Sequence, residues 1–557
     1  MRSLKPEFIY CAVFILICLL IIFQGGQTLS IIPPVVAIGL AFLTKQVIIS
    51  LFCGVWSGAV IVLINNGNSL TYSFFSGFLK TIDNYAVKGL NEESHIMIVL
   101  FSLMIGGMVG IITASGGMHG IVAALSKRTD TPSKSLILTW AAGLFIFFDD
   151  YANTLIVGNS MRPLTDSHKI SREKLSFIVD STTAPVASVA LLSTWIGYEV
   201  GLIGDALKAS GIESDPYTVF IYSLPYRFYA ILLLLFIPVF IWMKRDFGPM
   251  LKAEKKAADG YADEENAPPE DFSSFKEIDP SKCRWYTAAL PITTLIVVTI
   301  SGIIVSGYSA FEGGSPTLKD IIASADSFRV LIWGSLIGSI VAAVSMILNR
   351  TGSISTAVSS WVEGVKSMVT AMIILVLAWA LSAVVTELKT AEYISFLLSG
   401  TLPVWSLPAL VFVTASVASF ATGTSWGTMA LLFPTALPLA VTMAQNASIN
   451  LETFIFSVTG AILTGAIFGD HCSPISDTTI MSSMSCRVSH IEHVRTQLPY
   501  AFAIGLVSLF FGYLPAGFSV NPFILIIVQL AVIVLVFRYF GKKANNGDKG
   551  GLNVDRL

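Results

Sequence analysis

Two short polar segments interrupt strongly apolar parts of this chain: "DSTTAP" at residues 180–185 and "GDHCSPISDTT" at residues 469–479. In each, an aspartate is followed by hydroxyl-bearing residues and by a proline, which interrupts a helix because it lacks a backbone N–H. Carbonyl oxygens of unwound backbone, together with hydroxyls and carboxylates, form the oxygen-rich surroundings that hard cations prefer. We therefore predict sodium binding at Asp180 and Asp470.

A buried carboxylate of this kind can exchange one bound ion for another. An ionised aspartate at the centre of a bilayer costs about 2.5–3.5 kcal/mol on insertion scales, and burial favours its protonated form. The same oxygen atoms therefore accept either a proton or a metal cation, which is enough for ion-for-proton exchange. The alternative hypothesis is that Asp180 and Asp470 only cap the helix segments at each break.

Two further polar clusters lie inside apolar segments. "DDYAN" occupies the middle of residues 135–161, and "TGTSWGT" occupies the middle of residues 403–443. Asp149 and Asp150 are candidate ion ligands, although either one alone is also placed to cap a returning helix. The same two alternatives apply to Asp477, which precedes "TTIMSSM".

The composition determines the class of protein. Of 557 residues, 54% are hydrophobic and only 13% are charged, against about 25% charged in an average soluble domain. Apolar stretches close to the roughly 20 residues that span a bilayer recur along the chain, so we predict an all-α polytopic membrane protein with about twelve transmembrane helices. Six cysteines without a CxxC pair argue against a disulfide framework and against a zinc ribbon.

Positive charge between the spans predicts their orientation, because cytoplasmic loops are rich in Lys and Arg. Residues 126–134 and 162–174 are both basic. The intervening segment 135–161 is therefore predicted to enter and leave on the cytoplasmic side as a re-entrant hairpin, the alternative being one ordinary span. Segment 403–443 is flanked by sequences poor in positive charge and is predicted to enter from the opposite face. Both chain termini are predicted to be cytoplasmic, with the first apolar helix retained.

These features divide the chain into two repeats of opposite membrane orientation, each with a hairpin and a broken helix, a pattern typical of secondary transporters. The linker between them is charged and contains proline, and it is predicted to be a solvated cytoplasmic connector. The predicted units are N-terminal transmembrane helices at 1–46, repeat 1 at 47–243 with hairpin 135–161 and broken helix 175–203, the linker at 244–284, a connecting helix and loop at 285–327, repeat 2 at 328–517 with hairpin 403–443 and broken helix 453–485, and a C-terminal helix and cytoplasmic tail at 518–557.

Three segments carry a family resemblance: "FFDDYANTLIVGNSMRP" at 147–163, "TGTSWGTM" at 422–429 and "FGDHCSPISDTTIMSS" at 468–483. They resemble the NhaC family of sodium/proton antiporters, within the broader ion-transporter superfamily, and the resemblance extends over about residues 47–517. With Asp180, the polar positions of these motifs form the candidate ion- or substrate-binding set: Asp149, Asp150, Asn153, Thr154, Asp180, Thr422, Thr424, Ser425, Asp470, Ser473 and Asp477.

The resemblance implies a prokaryotic inner-membrane carrier that moves Na⁺ and H⁺ without a cofactor, by rocking or elevator-like alternating access. The leading hypothesis is Na⁺/H⁺ antiport with export of sodium. The alternative is sodium- or proton-coupled transport, or exchange, of a small carboxylate or amino acid, because carriers that resemble this pattern include such proteins. Enzymatic activity is not expected, since no HExxH or Walker pattern occurs. The expected partners are the lipid bilayer and the transported solutes, with a homodimer as an option and no nucleic acid.

Other polar residues are assigned to surfaces. Glu199 is predicted to lie in solvent on the outer side, and His490 and His493 in a basic cytoplasmic loop beyond a helix end, which argues against a zinc site. His471, next to Asp470, is placed to tune a proton site because imidazole titrates near neutrality.

Overall fold

A computed structural model describes residues 26–44, 46–126, 131–259, 283–311, 316–317, 321, 324–398, 402–447 and 449–543. Over these residues the protein is helical, and the only β-type pairing is an isolated bridge between Asp246 and Lys542. The predicted all-α fold is confirmed. The predicted first span, residues 8–23, lies outside the described residues.

The helices fall into three successive groups along the chain. The first group comprises α1 Ile32–Thr44, α2 Val47–Asn65, α3 Leu70–Lys80, α4 Val87–Leu90, α5 Glu93–Ala114 and α6 Gly117–Ser126. The second comprises α7 Pro132–Phe145, α8 Asp150–Ser167, α9 Arg172–Ser181, α10 Ala184–Val189, α11 Ile196–Ala209, α12 Pro216–Ser223, α13 Phe228–Met243 and α14 Gly248–Ala258. The third comprises α15 Tyr286–Ala310, α16 Ser327–Leu348, α17 Ile354–Glu387, α18 Thr390–Leu398, α19 Leu407–Thr422, α20 Ser425–Asn446, α21 Leu451–Cys472, α22 Asp477–Ser485, α23 His490–Ser508 and α24 Pro522–Phe540.

Many of these helices are long and apolar enough to cross a bilayer. Within the described part of the chain there are ten such helices, or up to eleven if the pair Pro216–Tyr226 and Phe228–Met243, bent by 49°, is one span. The helix content and span lengths are those of a multi-pass membrane protein. The total of about twelve spans and the opposite orientation of two repeats stay predictions.

The segment predicted as the first hairpin contains two helices joined by a short turn. Thr131 caps α7, its hydroxyl accepting a hydrogen bond from the Lys134 N–H at 3.3 Å, and Pro132 occupies the first turn, where its missing N–H is harmless. After α7 ends, four residues turn the chain and α8 begins at Asp150. The two helices pack against each other.

The second predicted hairpin has the same construction, α19 followed by α20. Its turn is made by Gly423, whose φ of +69° is a left-handed conformation that glycine adopts without strain. A Cβ atom at Gly423 would lie 2.6 Å from the Ile475 carbonyl oxygen, so this turn lies directly against the break after α21. Thr424 then caps α20.

Helix interruptions lie at both polar segments. The first separates α9 from α10 at Thr182 and Thr183, with Pro185 in the first turn of α10. The second covers residues 473–476 between α21 and α22 and contains Pro474. Helix α22 contacts α8, α9 and α23, so side chains from both breaks meet in the centre of the protein.

The first part of the linker differs from the expected solvated connector. Helix α14 packs against α9 and α23, and Asp246 and Glu254 are buried. The Lys174 ammonium contacts both carboxylates, at 2.9 Å and 3.3 Å. Burial raises the pKa of Asp246 because its charged form loses solvent, and Lys174 opposes that rise. Residues 260–282 of the linker lie outside the described residues.

Candidate functional site

A narrow cavity lies where the two hairpin turns approach the second break. The volume open to the centre of a water molecule is about 10 Å³. This is room for about one water molecule or one dehydrated cation. Its described lining contains three aspartates and no Lys or Arg, so its charge suits a cation. The lining residues are Asp150, Tyr151, Trp195, Gly423, Thr424, Ser425, Trp426, Asp470, Asp477 and Thr478.

Asp470 is the buried carboxylate at the centre of this arrangement. The Ser425 hydroxyl, from the turn of the second hairpin, donates to Asp470 Oδ2 at 2.8 Å, and the Thr478 hydroxyl donates to the same oxygen at 3.4 Å. Asp470 lies in the last turn of α21, where the negative end of the helix dipole opposes a carboxylate. The capping hypothesis fails for Asp470, because a cap by an acidic residue belongs at a helix N-terminus.

The other two aspartates of the cavity lie at helix N-termini, which favour their charged forms. Asp150 is the first residue of α8 and is buried. Asp477 is the first residue of α22 and is exposed, so it lies at the mouth of the cavity. The cap of α22 is Ser476, whose hydroxyl accepts from the Thr479 N–H, and not Asp477.

The remaining predicted residues of the first hairpin make hydrogen bonds that hold the backbone in place, and their part in ion binding stays a prediction. Asp149 caps α8 by accepting from the Ala152 N–H at 2.7 Å, which confirms the capping alternative for that residue. Asn153 Nδ2 donates to the Gly143 and Thr182 carbonyl oxygens at 2.8 Å and 2.7 Å, and so fastens the hairpin to the first break. Thr154 donates to a backbone carbonyl of its own helix.

In the second hairpin, the predicted residues divide in the same way. Thr424 and Ser425 line the cavity, whereas the Thr422 hydroxyl donates to the Ala418 carbonyl oxygen at 2.9 Å. Ser473 donates to the Phe420 carbonyl oxygen at 2.8 Å and ties the second break to α19. Residues 423–427, "GTSWG", also fit the G-x-S-x-G pattern of serine hydrolases, but here they join two helices, without the strand that precedes a nucleophile elbow.

Asp180 forms a second polar cluster, apart from the cavity lining. Its carboxylate accepts hydrogen bonds from Gln497 Nε2 at 2.6 Å and from Ser482 Oγ at 3.1 Å. Thr479 Oγ1 approaches at 3.3 Å and His493 Nε2 at 3.4 Å. Like Asp470, Asp180 lies in the last turn of a helix and does not cap one.

The histidines differ from the sequence-based interpretation. His493 lies in the first turn of α23 and is fully buried beside Asp180, so its assignment to a solvated loop is wrong. His471 points to the same cluster: its Nε2 is 3.7 Å from Asp180, and its Nδ1 is 2.7 Å from the Tyr229 hydroxyl. The spacing of His493 and Gln497, four residues apart on one helix face, was the signal that could have revealed this cluster.

Neighbouring threonines connect the two clusters. Thr478 donates to the Asp470 carboxylate, and Thr479 donates to the Asp180 carboxylate and approaches the Asp470 carbonyl oxygen at 3.5 Å. The first turn of α22 therefore touches both aspartates that the sequence singled out.

Glu199 is the other residue whose predicted location is wrong. Its carboxylate is fully buried and contacts the equally buried Arg227 guanidinium at 2.9 Å, at the bend between α12 and α13. Arg227 also donates to the Ser188 carbonyl oxygen near the end of α10. A buried ion pair with an additional hydrogen bond satisfies charges that the membrane interior would otherwise exclude.

Two family descriptions match the chain. Residues 186–518 match the Na⁺/H⁺ antiporter family, and residues 9–153 match the C4-dicarboxylate anaerobic carrier family. An uncharacterized protein of Haemophilus influenzae is 32% identical over 516 residues, which is 91% of this chain and 95% of that relative. The malate-2H(+)/Na(+)-lactate antiporter of Bacillus subtilis is 41% identical over 86 residues, which is 15% of this chain and 17% of that protein.

A solved structure shares the fold. The YdaH transporter of Alcanivorax borkumensis aligns with 83% of this chain and 90% of its own, with a TM-score of 0.56 and 14% sequence identity. The family match covers more than half of the chain, and the candidate cavity is formed mainly by residues within the matched segment. The chain is therefore a secondary transporter that belongs to the Na⁺/H⁺ antiporter family.

Proposed function

We propose that this protein exchanges Na⁺ for H⁺ across the inner membrane, with Asp470 as the carboxylate that binds either ion. The observation that carries the proposal is the position of Asp470: it is buried at a helix break, with Ser425 and Thr478 donating to one oxygen and a water-sized cavity beside it. A carboxylate in that position is costly when ionised and empty. Binding of H⁺ or Na⁺ removes that cost.

The surroundings give the three cavity aspartates different roles. Asp150 and Asp477 lie at helix N-termini, whose positive ends favour a carboxylate, and in this proposal they attract a cation into the cavity. Asp470 lies at a helix C-terminus, where the helix dipole opposes its negative charge, so binding of a proton or a cation there removes an unfavourable charge. Hydroxyl and backbone oxygens from Thr424, Ser425 and the break can complete a sodium ligand set. Sodium at Asp180 stays a second option, in a cluster that already supplies several hydrogen-bond donors.

Exchange then requires that the occupied protein, and not the empty one, changes the side from which the cavity opens. The turn of the second hairpin contacts Asp470 through one hydroxyl and the second break through Gly423. Neutralisation of Asp470 by either ion lowers the cost of moving that carboxylate through the membrane interior. This difference between occupied and empty states is what couples the two ion flows.

Exchange of a small organic acid is a second candidate. It is favoured by the name of the Bacillus subtilis relative and by the match of residues 9–153 to C4-dicarboxylate carriers. The cavity argues against it in this conformation, because a dicarboxylate is several times larger than the available space and three aspartates would repel it. Buried Arg227 is already paired with Glu199.

Reconstitution into proteoliposomes tests the proposal. Vesicles contain a pH-sensitive dye, and Na⁺, Li⁺ and K⁺ are added outside in turn, followed by malate, lactate and amino acids with and without Na⁺. We expect Na⁺ alone to drive proton movement that protein-free vesicles lack. Proton movement that needs an organic solute would instead support the second candidate, and so would uptake of labelled malate or lactate.

A further inference from the structure

A hydrogen bond next to the cavity joins the first half of the chain to the second hairpin. The Tyr198 hydroxyl, from α11, donates to the Trp426 backbone carbonyl oxygen at 2.5 Å. Trp426 follows Ser425 in the first turn of α20, and Ser425 is one of the two residues that donate to Asp470. Tyr198 does not itself line the cavity. It is linked to Asp470 through the backbone of Trp426 and the hydroxyl of the adjacent Ser425.

Aromatic packing strengthens this junction. The Tyr198 and Trp426 rings lie with centroids 4.5 Å apart, and the Trp195 and Trp426 rings are 5.3 Å apart. Ring pairs at these separations add to burial alone. Tyr198 and Trp195 belong to the loop and helix after the first break, whereas Trp426 belongs to the second hairpin. The contact therefore fixes the hairpin turn relative to the first half of the chain.

Resting on the proposed function, we propose that Tyr198 is a positioning residue that holds the turn of the second hairpin closed, so that Ser425 stays within hydrogen-bond distance of Asp470. The phenol has a specific partner in surroundings where water cannot replace it, because Tyr198 is almost fully buried. A movement of the hairpin turn away from Tyr198 would lengthen or break this hydrogen bond. The Tyr198 hydroxyl thus favours the ion-holding arrangement over the open one.

Kinetics of the Tyr198→Phe variant test this role, because the substitution removes the hydroxyl and keeps the ring. We expect the apparent KM for Na⁺ to rise about fivefold, the value of one neutral hydrogen bond, with kcat changed less than about twofold. Tyr286→Phe is the matched control. Tyr286 begins α15, does not line the cavity, and its hydroxyl donates to Asn349 Oδ1 at 2.6 Å. The same change in both variants, or a fall in kcat without a change in KM, would overturn the proposal.

A double-mutant cycle shows whether Tyr198 acts through Ser425. In a Ser425→Ala background, Tyr198→Phe should have little further effect on the KM for Na⁺, because the hydroxyl that it positions is already missing. An equal fold-change in both backgrounds would show that Tyr198 acts elsewhere.

Thiol labelling gives a readout that does not depend on sodium transport. In a variant without the six native cysteines, Ser425→Cys should react slowly with a membrane-permeant maleimide, and adding Tyr198→Phe should speed that reaction several-fold. An unchanged rate would contradict the positioning role even if Na⁺/H⁺ exchange were established. Faster labelling in a protein that showed no Na⁺/H⁺ exchange would support the role of Tyr198. It would reject only the proposal that Na⁺ and H⁺ are the transported ions.

Discussion

Asp180 and Asp470 occupy equivalent positions, each in the last turn of a helix that ends at a break, yet their surroundings differ. Asp180 accepts hydrogen bonds from an amide and from hydroxyls, and two imidazoles lie nearby. Among the described residues, the donors to the Asp470 carboxylate are hydroxyls, and Asp470 borders the cavity. A cation therefore has room beside Asp470, whereas at Asp180 it would have to displace donors that already satisfy the carboxylate.

The role of Asp470 is tested by Asp470→Asn, with Asp149→Asn as the matched control. The Asp470 variant cannot ionise, so we expect normal membrane insertion and sodium-driven proton movement no faster than in protein-free vesicles. Asn caps a helix about as well as Asp, so the Asp149 variant should retain activity within about twofold of wild type. Survival of exchange with an unchanged pH profile in the Asp470 variant would move the coupling site to another carboxylate.

Asn153 offers a test of a structural assignment. Its amide nitrogen donates to carbonyl oxygens of both α7 and the first break. In Asn153→Asp a carboxylate faces those oxygens without a donor, and we expect a loss of stability of about 3 kcal/mol, measured as a lower thermal unfolding midpoint in detergent. Asn159→Asp is the control, because Asn159 is exposed and donates only to the Leu155 carbonyl oxygen of its own helix. Equal shifts in the two variants would contradict the fastening role.

At the level of helices, the buried cluster of Lys174, Asp246 and Glu254 joins the linker to α9, the helix that carries Asp180. Glu254 also accepts from the Ser171 N–H and hydroxyl, at 2.9 Å and 2.6 Å, and so holds the N-terminal end of α9. The Tyr500 hydroxyl donates to Asp246 at 3.2 Å. These contacts hold the N-terminal end of α9, while its C-terminal end, which carries Asp180, leads into the first break.

Lys174→Met tests how much this cluster stabilises the protein. The substitution leaves two buried carboxylates without their cation, and breaking a buried pair by removing one partner costs about 3–5 kcal/mol. We expect a clearly lower unfolding midpoint in detergent, while Lys252→Met, at an exposed position of α14, should leave it unchanged. A Lys174 variant as stable as the Lys252 variant would mean that the cluster contributes little.

The sequence was informative where the cause is local and silent where it is distant. Both breaks were predictable because Pro185 and Pro474, together with hydroxyl residues, disrupt a helix whatever surrounds it. The cluster around Lys174 was not predictable. Lys174 and Asp246 are 72 residues apart, and the sequence alone does not distinguish a buried charged residue from a solvated one. Which aspartate caps a helix and which lines the cavity was also undetermined, since Asp149 and Asp150 differ by only one residue.

The arrangement of the complete chain in the membrane is tested by single-cysteine labelling in a cysteine-free variant. The charge pattern predicts that Thr131→Cys and Ser167→Cys react from the cytoplasmic side, on both ends of one hairpin. Lys389→Cys and Gln445→Cys should react from the outside, since they flank the second hairpin. Labelling of Thr131 and Ser167 from opposite faces would make residues 135–161 an ordinary span and would remove the case for inverted repeats.

The adjacent threonines of α22 have a thermodynamic consequence. Thr478 donates to Asp470 and Thr479 to Asp180, so a rigid displacement of this helix changes both hydrogen bonds at once. A ligand that draws Thr478 away from Asp470 then alters the environment of Asp180 with no direct contact. Linkage makes such an effect reciprocal: the factor by which occupancy at Asp470 changes affinity at Asp180 equals the factor in the other direction. An affinity measured at either carboxylate is therefore expected to depend on the occupancy of the other.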